Sequence, residues 1–186
     1  MSEFLSSDGG GSVDSSSKSG PIIPLNSPLH SKWNYYYHLP NDKSWELSSY
    51  RMVLKNIERV DQLVAVNNAV PEHVVKYCML FVMRKGITPM WEDAANRNGG
   101  CFSFKVINKQ VFQVWRSLLY ALCGESLFVD KSHLSQMNGI TISPKKNFCI
   151  VKIWMRGRTV QDPNTIINVP GLSKQGCLFK CHEPEF

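Results

Sequence analysis

A chain of 186 residues, 43% hydrophobic and 19% charged, is one domain's worth of protein with room for a tail. That composition excludes wholesale disorder, and the longest apolar run, Tyr77 to Met83, is far too short to cross a membrane. The net charge is +6. Residues 1–26 set Lys18 against Glu3, Asp8 and Asp14, which leaves +8 on the remainder and points to an anionic partner: nucleic acid, nucleotide or a membrane surface.

Residues 1–26 are Ser- and Gly-rich without periodicity and are expected to form a disordered arm, with no secretory leader; residues 27–186 are expected to fold. Trp33, Tyr35 and Tyr37 alternate within Lys32 to Leu39, which predicts a strand ended by the loop Pro40-Asn41-Asp42-Lys43. Tyr50 to Ile57 predicts the next strand. Val60, Leu63, Val64 and Asn67 keep helical spacing up to Pro71. Tyr77 to Met83 predicts an apolar strand, Lys85-Gly86 a turn, and Cys101 to Ile107 another strand after a long loop. Asn108 is the expected cap of a helix whose Val111, Val114, Trp115, Leu118, Leu119 and Leu122 share one face, with Gly124 as its stop. Gly139 to Ile142 and Phe148 to Met155 predict a hairpin, and Leu178 to His182 a last strand. The expected class is α+β: one domain, an antiparallel sheet with helices packed on one face.

The cysteines at 78, 101, 123, 149, 177 and 181 include no CxxC pair, so free thiols in a reducing compartment are expected, with no metal and no cofactor. The tryptophans are more informative. Trp33 and Trp115 sit in periodic apolar segments and belong to a core. Trp45 closes the polar loop Asn41-Asp42-Lys43-Ser44, and Trp91 lies in Thr88-Pro89-Met90-Trp91-Glu92-Asp93. Two loops that each offer one indole can hold a flat ring, and the Glu92 carboxylate can accept two N–H donors from a guanine edge.

The blocks Pro28-Leu29…Trp33, Asn41-Asp42-Lys43-Ser44-Trp45, Gly86 to Asp93, Asn98-Gly99-Gly100, Gly124-Glu125-Ser126 and Ile153-Trp154 follow in an order that resembles the eukaryotic translation initiation factor 4E family, as a divergent member. The resemblance implies a curved sheet with helices on the convex side and a slot for the 7-methylguanosine cap of mRNA on the concave side. It implies that Trp45 and Trp91 stack on the methylated guanine, that Glu92 reads its N1 and N2 protons, and that Trp154 lies by the N7-methyl. It implies a non-enzymatic, cytoplasmic monomer working in translation, with capped mRNA as ligand and no membrane partner.

The phosphate cations depart from the family pattern: Cys101 stands at a usual arginine, and the basic pair of the late hairpin does not align. Strand alternation offers substitutes. Lys152 and Arg156 flank Trp154 at two-residue steps, about 7 Å each way, with Lys145 at the hairpin tip and Lys105 a weaker candidate. On the convex side, where the family presents a Trp to a scaffold or repressor helix, the matching position is Val64, near Val60; Arg116 and Tyr120 stand at usually apolar contacts. A scaffold or regulatory protein with a non-consensus motif is the expected partner. Two alternatives stay open: a cap-binding repressor, and a single-strand RNA binder without cap specificity.

Overall fold

The computed structural model describes residues 23–184. The strands form one curved, antiparallel seven-stranded sheet whose central strands are buried on both faces. The strands are β1 (Pro28–His38), β2 (Arg51–Arg59), β3 (Met79–Arg84), β4 (Gly100–Ile107), β5 (Met137–Pro144), β6 (Phe148–Met155) and β7 (Leu178–Cys181), in the spatial order β2-β1-β3-β5-β6-β4-β7. On one face Trp33, Tyr35, Leu80, Val82, Phe102, Phe104, Val151 and Ile153 are buried beneath helices. Those helices are α1 (Val60–Ala69), α2 (Glu72–Tyr77) and α3 (Asn108–Cys123).

The long helix α3 lies on β1, β4, β5 and β6 and presents the apolar face expected from its spacing. Inside, Trp115 Nε1–H donates to Tyr35 Oη at 3.0 Å, which satisfies a donor that burial would otherwise strand. The same burial pushes the Tyr35 phenol well above its ordinary pKa, against the Trp115 hydrogen bond.

Two expectations are corrected. Asn108 is the first residue inside α3, not its cap: Ile107 precedes the helix, and the Asn108 Oδ1 accepts from Cys149 Sγ at 3.8 Å. The apolar run from Tyr77 is not all strand. Pro71 starts α2, the Glu72–Lys76 pair one turn apart (2.5 Å) braces it, and Val75 anchors it in the core, so β3 begins only at Met79. Of the expected arm, residues 1–26, residues 1–22 lie outside the described residues; Leu25 accepts a backbone bond from Asp61 N at 2.7 Å.

The Gly124-Glu125-Ser126 block acts as a structural clasp. Gly124 ends α3, and Glu125 takes the left-handed conformation, φ 49°. Holding a non-glycine residue there costs on the order of 1 kcal/mol or more. The conformation aims the Glu125 carboxylate at Arg84 (3.1 Å), Ser31 (2.5 Å) and His30 (3.0 Å), which ties the end of α3 to β1 and β3. Arg84 also donates to Ser31 and lies 4.7 Å over the Trp33 ring. Burial opposes the charge on Glu125, yet the bonds from Ser31 and Arg84 outweigh it and hold its pKa below the usual carboxylate range.

Glu125→Ala leaves Arg84 uncompensated and is expected to lower unfolding stability by ~2–3 kcal/mol in denaturant titrations. Because the folded carboxyl is the stronger acid, its contribution is complete above the ordinary Glu value and is lost as pH falls through the depressed one. The wild type should therefore lose more stability than Glu125→Ala on acidification below about pH 4.5. Parallel curves would remove the clasp.

Candidate nucleotide-binding site

The face without helices is organised in cross-strand rows. Gly139, Trp154, Cys101 and Lys180 form one row, Thr141, Lys152, Ser103 and Leu178 the next, and Ser143, Ile150 and Lys105 a third. A concavity of about 640 Å³ opens on this face, lined among others by Trp45, Tyr50, Phe81, Trp91, Glu92, Lys152 and Trp154. Trp154 is its floor: the indole is buried, and its N–H donates to Thr141 Oγ1 at 2.7 Å. Trp45 and Trp91 stand on the rim, 53% and 37% exposed, in surroundings that bury other large aromatics.

Each rim indole is backed by a histidine. The His38 ring stacks on Trp45 at 4.4 Å with planes 8° apart, and its Nε2–H donates to the Ser44 carbonyl at 2.8 Å. Asp42 Oδ1 accepts from Ser44 N at 2.9 Å and closes the tight turn of that loop. Tyr50 sets its edge against both His38 and Phe81. Burial, then the nearby Glu92 charge, raises the Tyr50 pKa to about 12, so its hydroxyl stays a donor at neutral pH.

On the other rim, the loop from Thr88 to Gly99 is held by buried amides. Asp93 Oδ2 accepts from Thr88 N (2.7 Å) and Thr88 Oγ1 (2.8 Å). The fully buried Asn96 donates to the carbonyls of Thr88 (2.9 Å) and Met90 (2.8 Å), and its own Oδ1 accepts from Asn138 on β5 at 2.9 Å. Gly99 is required where the loop meets the sheet, because a Cβ there would lie 1.9 Å from the Met155 carbonyl oxygen. His182, just past β7, stacks on Trp91 at 5.7 Å with planes 14° apart and leans on Trp154. Its Nδ1–H donates to the Asn96 carbonyl at 2.7 Å.

The structure thus brings together Trp45, Trp91, Glu92, Trp154 and Lys152. Lys152 Nζ lies 5.6 Å from the Trp91 ring centroid, a cation–π contact inside the concavity. Lys145 lines a second, adjoining concavity. Arg156 is not brought in: β6 ends at Met155, alternation ends with it, and Arg156 lines neither concavity. His38, Tyr50, Asn96, Asn138 and His182 were missed by sequence reasoning. Only the turn-forming Asn41-Asp42 and the Asp93-to-Gly99 polar run hinted that these loops are braced.

On the helical face, Val60 and Val64 are half-buried on α1, and Tyr120 is exposed on α3. Arg116 does not stand bare there: it donates to Asn68 Oδ1 at 2.7 Å and lies 5.5 Å over Phe112. All six cysteines are free thiols, and no His/Cys/Asp/Glu cluster among the described residues has metal-ligand geometry. No helix among them is long and apolar enough to cross a membrane.

The family model for eukaryotic initiation factor 4E matches residues 28–174. The translation initiation factor 4E of Eremothecium gossypii is 30% identical over 163 residues, 84% of this chain and 71% of the relative. That of Saccharomyces cerevisiae is 29% identical over 153 residues, 80% and 69% of the two chains. Among solved structures, a schistosome eIF4E complexed with m7GpppG and 4E-BP superposes with TM-score 0.65 at 22% identity, covering 73% of this chain and 75% of that one. Ascaris suum eIF4E-3 with an m2,2,7G cap gives TM-score 0.63 at 22% identity, covering 73% and 76%. At these identities the superpositions establish the fold.

His182 offers a test of the Trp91 brace. Burial lowers its pKa, with Lys152 and Arg158 adding to the effect, against the Asn96 carbonyl and Glu92. The unfolded imidazole therefore takes up a proton first. Stability is full above the ordinary His value near pH 6.5 and is lost as pH falls from there to the depressed native value. Between pH 7.5 and 5.5, thermal unfolding followed by Trp fluorescence should shift more for wild type than for His182→Gln; equal shifts would exclude a neutral buried His182.

Proposed function

Because the chain belongs to the eukaryotic initiation factor 4E family, we propose that it binds the 7-methylguanosine cap of mRNA and acts in translation initiation or its regulation. The observation that carries the reading is the pair of rim indoles, Trp45 and Trp91, facing one concavity with Glu92 beside them. Methylation at N7 makes guanine a delocalised cation. Between two indoles it gains ~0.5–2 kcal/mol per face, according to desolvation. An ionised Glu92 then makes charge-assisted bonds to N1–H and N2–H. Trp154, fixed through Thr141, bounds the floor where the methyl lies. This is recognition without bond-breaking, so the chain is assigned as a cytoplasmic binding protein and not an enzyme.

Lys152 has two roles in this proposal. In the free protein its ammonium occupies the Trp91 face as a stand-in cation. The methylated base displaces it toward the cap phosphates, where Lys145 joins it from the hairpin tip. Base and phosphate binding are thereby coupled, because a nucleoside displaces Lys152 without giving it a new partner.

Titration of indole fluorescence tests the site. Trp45→Ala and Trp91→Ala should each weaken 7-methyl-GTP by roughly 1–3 kcal/mol, and Glu92→Gln should narrow the preference over GTP. Lys152→Met should weaken the triphosphate about tenfold yet leave 7-methylguanosine binding equal or tighter. Equal binding of GTP and 7-methyl-GTP by wild type would favour the cap-independent RNA reading, and unchanged affinity in both Trp variants would remove the clamp.

The helical face of α1 and α3 is assigned to a scaffold or regulatory protein, on the precedent of the schistosome relative seen with 4E-BP. Val64 supplies apolar surface without an indole N–H, while Arg116, bonded to Asn68, places charge at the contact. A helix tuned to a Trp-bearing surface meets poor complementarity there. Calorimetry with a consensus scaffold peptide should give weak binding, strengthened by Val64→Trp with Arg116→Leu. Tight wild-type binding would overturn the altered-surface argument.

A further inference from the structure

The concavity that adjoins the indole slot, about 400 Å³, is lined by Lys105, Lys145, Lys152 and Lys180 with Ser103 and Ser143, and by no carboxylate. Among the described residues none of the four lysines is in an ion pair. They are placed by register. Lys152 on β6 faces Ser103, Lys105 lies two residues further along β4, and Lys180 on β7 faces Cys101. With strands about 4.8 Å apart and about 3.4 Å per residue, Lys105 and Lys180 stand roughly 14 Å apart, with Lys152 between them along the sheet. The Lys105 ammonium is held over the Phe148 ring at 4.6 Å, which keeps it raised above the strand instead of loose in solvent.

Four unpaired ammonium groups converging on one hollow repel one another, and an anion with several charges relieves that repulsion. The slot's own ligand, with Lys152 and Lys145, accounts for one end of the hollow. Lys105 and Lys180 lie beyond it, on strands that contribute no side chain to the indole slot.

We propose that Lys105 and Lys180 form a phosphodiester subsite that holds the first nucleotides following the cap. The proposal rests on the cap reading for its direction, since the chain enters this hollow from the slot across Lys152. Lysines bind phosphate as point charges, so the tract takes RNA irrespective of sequence, and Ser103 and Ser143 add hydroxyls at the junction. The protein then grips capped RNA more tightly than the cap nucleotide alone, and the difference is electrostatic.

The test compares 7-methyl-GTP, a capped RNA pentamer and the same pentamer with an unmethylated 5′-triphosphate, by anisotropy or calorimetry between 50 and 200 mM KCl. Wild type should bind the capped pentamer roughly 5–10-fold tighter than 7-methyl-GTP at 50 mM, with a log–log salt slope steeper by about 1.4, two single-strand contacts at ~0.7 each. Lys105→Gln with Lys180→Gln changes two exposed side chains. It should leave 7-methyl-GTP affinity as it was and abolish both the length advantage and the extra slope. A capped pentamer no tighter than 7-methyl-GTP, or a double variant that keeps the full advantage, overturns the subsite while the cap reading stands. If 7-methyl-GTP fails to bind but the uncapped pentamer binds through Lys105 and Lys180, the cap reading falls and the tract remains.

Discussion

The site depends on one buried amide. Asn96 has no exposed surface, and its hydrogen bonds join three stretches of chain: Thr88 and Met90 in its own loop through its side chain, Asn138 on β5 through its Oδ1, and His182 after β7 through its backbone carbonyl. A buried amide that lost these partners would carry the full cost of desolvation, so the loop is fixed as a unit instead of being free to sample positions. Trp91 is exposed and Glu92 half-buried, yet the segment that bears them is anchored beneath the surface. This preorganisation lets an open loop bind a ligand without a large ordering cost.

The opposite rim uses different means to the same end. Its loop is short, the Asp42 turn closes it, and His38 both receives Trp45 and bonds to the Ser44 carbonyl. The two rims thus meet across a floor set by Trp154 and Thr141, with imidazole behind each indole. A histidine covers one face of each indole, and the Lys152 ammonium lies within cation–π reach of Trp91. Charge is partitioned to match. Glu46 and Glu92 are the acids at the slot's indole end, and lysines occupy the rows that lead away from it. A ligand that is cationic at its base and anionic along its chain complements that gradient.

The helical face and the ligand face share a sheet but not a chemistry. Glu125, in its left-handed conformation, joins α3 to β1 and β3 through Arg84 and Ser31, so the helices cannot shift without disturbing the strand beneath the Tyr50 and Phe81 contacts. The block Gly124-Glu125-Ser126 therefore belongs to the scaffold, although in the sequence it stood beside blocks that line the slot.

Local pattern alone determined most of the strands, helices α1 and α3, and the two loop tryptophans, because alternation and helical spacing are properties of neighbouring residues. It also put Lys152 on the face of Trp154, since residues two apart share a face within one regular strand. The same arithmetic failed for Arg156, because alternation holds only while the strand does and β6 stops at Met155. Helix α2 was hidden inside an apolar run, where periodicity cannot separate a buried helix turn from a strand. Tertiary structure alone decided the histidines behind the indoles, the Asn96–Asn138 bond, and the meeting of Lys105, Lys152 and Lys180 in one hollow. These contacts join residues tens of positions apart, and their geometry comes from strand register and buried hydrogen bonds, which no stretch of sequence encodes locally.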